Sequence, residues 1–154
     1  MREQLARLAA SVSSHPVRET NLHLTLVFLG HCVPAVRDCI RQAAGQVRQP
    51  AFDLTLDYLG GFPKPRIQWL GSQQAPQVLF DLQRTLHDAA VDCGLAIQDR
   101  RFVPHVTLSR KIKQPCFQVI EAPLEWRVEE FVLAESCPAE GGVQYRILAR
   151  WGLG

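Results

Sequence analysis

Apolar positions recur along this chain with two periods, and each period predicts a different kind of secondary structure. A spacing of three or four residues is typical of amphipathic helices and covers residues 2–13, 34–47 and 75–93. Continuous or alternating apolar residues are typical of strands and cover residues 21–30, 52–59, 66–70 and 103–109. Residues 124–134 and 142–151 are predicted to form a closing β-hairpin, and 115–123 is the least regular stretch. The order of elements predicts an α+β fold with antiparallel sheets, in which the glycines at 60–61 end the strand before them.

Two of the predicted strands carry the same motif, a histidine and a threonine separated by one residue and followed by leucine. The first copy is His23-Leu24-Thr25-Leu26, and the second is His105-Val106-Thr107-Leu108. Because side chains alternate between the faces of a strand, each histidine projects from the same face as its threonine. The copies lie far apart in the chain. We therefore expect a single two-lobed domain over residues 1–154, with pseudo-two-fold symmetry, in which each lobe contributes one motif to a central cleft.

A pair of histidines in one cleft indicates acid–base catalysis, because imidazole both accepts and donates a proton near neutral pH. In-line displacement at phosphorus needs such a pair most directly, with one histidine at the attacking oxygen and the other at the leaving oxygen. Thr25 and Thr107 could donate hydrogen bonds to the non-bridging phosphate oxygens, and Arg110 could stabilise their charge. Strict alternation places Arg110 on the opposite face from His105, so this role needs a twist, a bulge or the end of the strand.

Other features of the sequence argue against several alternative classes. Neither motif offers a third metal ligand two residues away, no G-x-S-x-G elbow occurs, and no glycine-rich phosphate loop indicates a nucleotide cofactor. The net charge of +2 does not indicate a general polyanion binder, although residues 100–113 contain five basic side chains and no acidic one. Five cysteines without a CxxC pair predict separate, reduced thiols. The sequence has neither a signal peptide nor a membrane-length apolar run, so a cytoplasmic protein is expected.

With their flanking residues, the two motifs resemble a known family. Residues 21–30, 66–71 and 101–110 are similar to segments of the two-histidine (2H) phosphoesterase superfamily, and within it of the bacterial RNA 2′,3′-cyclic phosphodiesterases, also called 2′-5′ RNA ligases. The resemblance spans essentially the whole chain. It implies a bilobal fold with two antiparallel sheets, helices on the outer faces, and the two motifs facing each other across a groove.

The resemblance also implies a reaction, namely hydrolysis of a terminal 2′,3′-cyclic phosphate of RNA to a 2′-phosphomonoester, without a metal or cofactor. ATP-independent 2′-5′ RNA ligation is implied as a possible reverse reaction. On this resemblance His23 would be the proton donor to the leaving 3′-oxygen, and His105 the proton acceptor that activates water. Thr25 and Thr107 would hold the phosphate, with Arg110 supporting it.

The expected partner is RNA that ends in a 2′,3′-cyclic phosphate, such as a tRNA fragment or another oligoribonucleotide. Phe102 is a candidate for stacking on its terminal base, whereas Trp69, inside a predicted strand, is expected to pack in the core. Family members usually begin with a strand that is not evident here; either the start of the sequence is misassigned or trimmed, or the lobe is completed in another way, such as by a partner molecule. The expected state is a monomer, with a partner-completed dimer as the alternative. Two alternatives stay open: a module that binds RNA ends without turnover, and a 2H phosphodiesterase that acts on small cyclic nucleotides.

Overall fold

The computed structural model describes residues 1–98 and 100–154, and within these ranges it contains the three predicted helices. They are α1 (Arg2–Val12), α2 (Pro34–Ala44) and α3 (Gln77–Asp92). Each helix buries residues about one turn apart, such as Leu5 and Ala9 in α1, as the apolar period predicts. α2 starts with Pro34 because the first position of a helix needs no backbone N–H donor. In the part of the chain that is described, no helix is long and apolar enough to cross a membrane.

The strands form two sheets and confirm the α+β class with antiparallel sheets. The described residues contain six strands: β1 (Phe52–Phe62), β2 (Ile67–Gly71), β3 (His105–Arg110), β4 (Gln118–Val128), β5 (Glu130–Ala139) and β6 (Gly142–Gly152). One sheet has the strand order β3-β2-β1-β4, and the other is the hairpin β5-β6. β2 lies antiparallel between β1 and β3, so the second motif is at one edge of the larger sheet.

The chain divides into two compact units. Unit 1 comprises residues 1–25, 53–75 and 103–126, and unit 2 comprises residues 26–52, 76–102 and 127–154. Unit 1 therefore contains α1 and nearly all of the four-stranded sheet, while α2, α3 and the β5-β6 hairpin belong to unit 2. The histidine and the threonine of both motifs lie in unit 1, which ends at Thr25 in the first copy. The expectation that each lobe contributes one motif is therefore wrong.

The predicted first strand, over residues 21–30, is not a regular strand. A short 3₁₀ helix occupies Glu19–Asn21, and in the segment after it Leu24 forms an isolated antiparallel bridge to Val106 of β3. The apolar run in this segment matches the strand pattern, but a regular strand also needs a neighbour that pairs along its length. Here the pairing is confined to the centre of the motif, and further along Phe28 is 76% exposed.

Three boundaries in the sheets differ from the prediction. β1 continues through Gly60 and Gly61, which the pattern predicts to end it. β4 starts at Gln118, inside the stretch predicted to be irregular, and it tolerates Pro123 because an edge strand leaves one row of backbone groups unpaired. The closing hairpin is confirmed, but its first strand is β5, which starts at Glu130 rather than at residue 124.

Two of the five cysteines form a disulfide within unit 2. Cys39 of α2 and Cys93, which caps α3, are bonded with their Cα atoms 5.9 Å apart. The prediction of reduced thiols is therefore wrong for this pair, and it is confirmed for Cys32, Cys116 and Cys137. No spacing in the sequence marks the pair, because the partners are 54 residues apart and meet only when the two helices pack.

Candidate active site

The two motifs lie side by side in unit 1. Leu24 and Val106, which bridge antiparallel, are the middle residues of the two motifs. In this register each histidine lies opposite the threonine of the other motif. Val106 is fully buried, so the histidines and threonines on either side of the bridge project from the other face. The two histidines are then diagonal neighbours, a relation that places Cα atoms about 7–8 Å apart. The pairing thus brings four predicted site residues onto one surface: His23, Thr25, His105 and Thr107.

Both imidazoles are held by the same local hydrogen bond. The Nδ1 atom of His23 lies 2.6 Å from the carbonyl oxygen of Asn21, and that of His105 lies 2.6 Å from the carbonyl oxygen of Val103. A carbonyl oxygen only accepts, so Nδ1 must carry the proton in each bond. The neutral ring then has its basic nitrogen at Nε2. Both histidines are therefore fixed in the tautomer that uses Nε2 for proton transfer.

His105 sits in an aromatic corner of the sheet. The ring of Phe62 meets it edge-on at a centroid distance of 5.3 Å, and Trp69 lies 5.8 Å away. Burial lowers the pKa of His105 below its ordinary value of 6.5, against the opposing effect of the bond to the Val103 carbonyl. Positive charge on His23, which projects from the same face, lowers this pKa further. His105 is thus favoured as an uncharged base near neutral pH.

The Trp69 ring that packs against His105 depends on two glycines that the sequence pattern did not mark as functional. A β-carbon at Gly60 would lie 2.3 Å from the Trp69 ring, and one at Gly71 would lie 2.9 Å from both that ring and the Pro104 carbonyl oxygen. Only glycine lets the indole lie this close to β1 and β2. Trp69 is half-buried beside the histidine, so the expectation that it simply packs in the core is incomplete. Glycine inside a strand was the available signal for such a close approach.

A bulge in β3 brings Arg110 to the face of His105. Trp69 pairs with Thr107, but the preceding residue of β2, Gln68, pairs with Ser109, so Leu108 is an extra residue on β3. The alternation shifts by one position, and Arg110 joins the histidine face. The charge of Arg110 accordingly contributes to the lowered pKa of His105.

The other face of β3 supports this orientation. Ser109 is fully buried; its hydroxyl donates to the carbonyl oxygen of His15 at 2.9 Å and lies 2.7 Å from the hydroxyl of Ser13. Both partners lie within three residues of the end of α1, which packs on β3. Ser109 therefore points toward the helix, whereas strict alternation from His105 would have pointed it into the site.

Phe102 is the predicted site residue that the described contacts do not bring to the motifs. It belongs to unit 2, where its ring meets Phe80 edge-on at 5.9 Å. Its role in base stacking stays a prediction. Among the described residues, no three histidine, cysteine, aspartate or glutamate side chains are grouped closely enough to hold a metal ion.

The fold and the paired motifs define a class of protein, and comparison with known proteins identifies it. The chain belongs to the 2′-5′ RNA ligase superfamily, which matches residues 1–136. The RNA 2′,3′-cyclic phosphodiesterase of Escherichia coli (strain K12) is 37% identical over 160 residues, which cover 99% of this chain and 90% of that protein. The protein of the same name from Thermotoga maritima is 30% identical over an alignment that covers 86% of this chain and 75% of that protein.

Solved structures give the same assignment. The crystal structure of E. coli LigT complexed with 3′-AMP superposes with a TM-score of 0.92 at 36% identity, covering 99% of this chain and 90% of that one. A Thermus thermophilus protein, TT0787, superposes with a TM-score of 0.80 at 26% identity, covering 98% of this chain and 90% of that one. The family and the enzyme class that the two motifs indicate are thereby confirmed.

Proposed function

We propose that this protein hydrolyses the terminal 2′,3′-cyclic phosphate of RNA to a 2′-phosphomonoester, with His23 as general acid and His105 as general base. The observation that carries the proposal is the Leu24–Val106 bridge, which sets both histidines on one face. The choice of substrate is supported by the relatives that are named RNA 2′,3′-cyclic phosphodiesterase.

The reaction is one in-line displacement. Nε2 of His105 accepts a proton from water as the water oxygen bonds to phosphorus. The bond from phosphorus to the 3′-oxygen breaks on the far side, and Nε2 of His23 donates its proton to that oxygen. The products are a 2′-phosphomonoester and a 3′-hydroxyl group. The diagonal placement of the two histidines suits this geometry, since attack and departure occur on opposite sides of phosphorus.

The assignment of the base to His105 rests on its lowered pKa. A general base must be uncharged before the reaction, and burial beside Phe62 and Trp69 favours the uncharged ring. His23 is the more exposed of the two histidines and takes the role of the acid. After one turnover the two histidines hold the opposite protonation states, and exchange with solvent restores them.

Thr25, Thr107 and Arg110 stabilise the charge that develops on phosphate. The two threonine hydroxyls flank the histidines and donate hydrogen bonds to the non-bridging oxygens, and the guanidinium supplies positive charge from the bulge. Phe102 is proposed to stack on the terminal base. If a 5′-hydroxyl group of a second RNA takes the place of water, the same displacement produces a 2′-5′ phosphodiester, which is ligation without ATP.

The test is to incubate the protein with an oligoribonucleotide that ends in a 2′,3′-cyclic phosphate, in the presence of EDTA, and to identify the phosphate position in the product. A 2′-phosphomonoester is expected, and His23→Ala and His105→Ala should each lower kcat/KM by roughly 10²–10⁴-fold. Ser11→Ala, on the exposed surface of α1, is the matched control. Intact substrate after long incubation contradicts the proposal. Tight binding without product would instead identify an RNA-end-binding module.

A further inference from the structure

Two loops of unit 1 meet at one end of the four-stranded sheet. The first joins β1 to β2 (residues 63–66), and the second follows β3 (residues 111–117). The backbone N–H of Ile112 donates to the carbonyl oxygen of Arg66 at 3.2 Å. The buried side chain of Gln68 holds the second loop by two hydrogen bonds to the backbone of Cys116. Oε1 of Gln68 accepts from the N–H of Cys116 at 2.7 Å, and Nε2 of Gln68 donates to the carbonyl oxygen of Cys116 at 2.9 Å. The loops are therefore fixed against each other rather than independent.

These loops concentrate positive charge. They contain all three lysines of the chain, Lys64, Lys111 and Lys113, together with Arg66, and we refer to these four residues as the basic end. All four side chains are exposed, and none forms an ion pair with another described residue. Residues 58–80 and 100–120 contain no aspartate or glutamate. The charge of the basic end is therefore not balanced by its own loops.

Two members of the basic end adopt an unfavourable backbone conformation. Arg66 has φ of 66° and Lys111 has φ of 62°, in the left-handed region where glycine and asparagine are favoured. The turn itself would form more easily with either of those residues. Long basic side chains at both positions are thus not explained by folding, and such strain is typical of functional sites.

The basic end lies beyond Arg110, further from the histidines along the sheet. In the register with β2, His105 pairs with Gly71 and Arg110 pairs with Ile67. These two β2 residues are four positions apart, so Arg110, at the end of β3, lies about 13 Å from His105 along the sheet. Arg66 and Lys111 lie just beyond the pair of Ile67 and Arg110. The phosphate bound at the histidines is assigned to Arg110, and the basic end, one residue further along both strands, is placed for phosphates earlier in the same RNA strand.

We propose that the basic end binds backbone phosphates of RNA on the 5′ side of the cyclic phosphate, so that the enzyme selects oligoribonucleotides over mononucleotides. This inference rests on the proposed function and adds a substrate class to it. Lysine suits the task because its charge is compact and needs no fixed orientation toward a flexible RNA backbone.

The test compares kcat/KM for a short oligoribonucleotide 2′,3′-cyclic phosphate with that for the matching mononucleoside 2′,3′-cyclic phosphate. The variant is Arg66→Asn with Lys111→Asn, since asparagine accepts the left-handed backbone and removes only the charge. The control is Arg2→Gln with Arg7→Gln on α1, which loses the same charge in the same unit. We expect the oligonucleotide-to-mononucleotide ratio to fall about tenfold in the first variant, with the change mainly in KM, and to stay constant in the control.

A binding measurement tests, without turnover, whether the basic end contacts RNA. Fluorescence anisotropy with an oligoribonucleotide that carries a 2′-phosphate should show weaker binding, and the slope of log K against log salt should fall in magnitude by about 1.4 for the two lost contacts. An unchanged ratio and an unchanged salt slope would overturn the inference, as would an equal effect of the α1 control. If the unmodified protein turns over neither substrate, the proposed function fails, and anisotropy still decides the role of the basic end.

Discussion

Replacing Gly60 with alanine should disturb catalysis through Trp69. The added β-carbon would lie 2.3 Å from Cη2 and 2.5 Å from Cζ2 of the indole. Carbon atoms in contact sit about 3.5–4.0 Å apart, so the ring must retreat by about 1 Å. Overpacking of this kind lowers the free energy of unfolding by about 1–3 kcal/mol. The indole packs against His105 at 5.8 Å, so its displacement moves the proposed base as well.

The effect on activity should be separable from the effect on folding. A misplacement near 1 Å in a catalytic group lowers kcat/KM by about 10²-fold, even where the protein stays folded. Steady-state kinetics on the cyclic-phosphate oligonucleotide and urea unfolding are measured on the same preparations. Gly152→Ala is the matched control, because its β-carbon would have its nearest neighbour, the Glu129 carbonyl oxygen, 4.0 Å away. Unchanged kcat/KM in Gly60→Ala, with lowered stability, would refute the claim that Trp69 positions His105.

Three further results are expected from the structure. Activity should rise with pH through a midpoint below 6.5, because the base His105 has a lowered pKa and must lose its proton, and Arg110→Gln should move this midpoint to higher pH in kcat/KM profiles. Ser109→Ala should lower the free energy of unfolding in urea by about 0.5–1.5 kcal/mol, because it removes the hydrogen bond that the fully buried hydroxyl donates to the His15 carbonyl oxygen. Removing the disulfide with Cys39→Ser and Cys93→Ser should lower it by about 2–4 kcal/mol, since the bond closes a loop of 54 residues, and unmodified denatured protein should titrate three free thiols.

Each of these results has its own control. Arg7→Gln removes a positive charge on α1 and should leave the pH midpoint in place; an equal shift would mean that net charge, rather than proximity to His105, sets it. Ser11→Ala removes an exposed hydroxyl and should leave unfolding nearly unchanged. Cys137→Ser removes a free thiol. If it lowered stability as much as the disulfide variant, the loss could not be attributed to the loop that the disulfide closes.

The parts of the fold that follow from local periodicity could be predicted from the sequence. Helix α3 is an example, because apolar residues such as Leu79 and Leu82 recur at the helical period and need no knowledge of their partners. The shared face of each histidine and its threonine follows in the same way from alternation. These local rules predict which side chains share one face of a helix or strand, but not which helices and strands pack against each other.

The remaining features depend on partners that are distant in the chain. The bulge that turns Arg110 toward His105 arises from the register with β2 and has no marker in β3 itself. The first motif, which was expected to form a regular strand, likewise pairs with β3 only through a single bridge at Leu24. The Cys39–Cys93 bond forms only because two helices pack together. Each case needs tertiary contacts that periodicity does not encode.

The division of labour between His23 and His105 is tested most directly by changing the leaving group. In a substrate whose 3′-oxygen is replaced by sulfur, the leaving thiolate is stable without a proton, so a general acid is no longer needed. We predict that His23→Ala recovers most of its lost kcat/KM on this substrate, whereas His105→Ala stays as impaired as on the oxygen substrate. Recovery by His105→Ala instead, or equal impairment of both variants on both substrates, would contradict the assignment of acid and base.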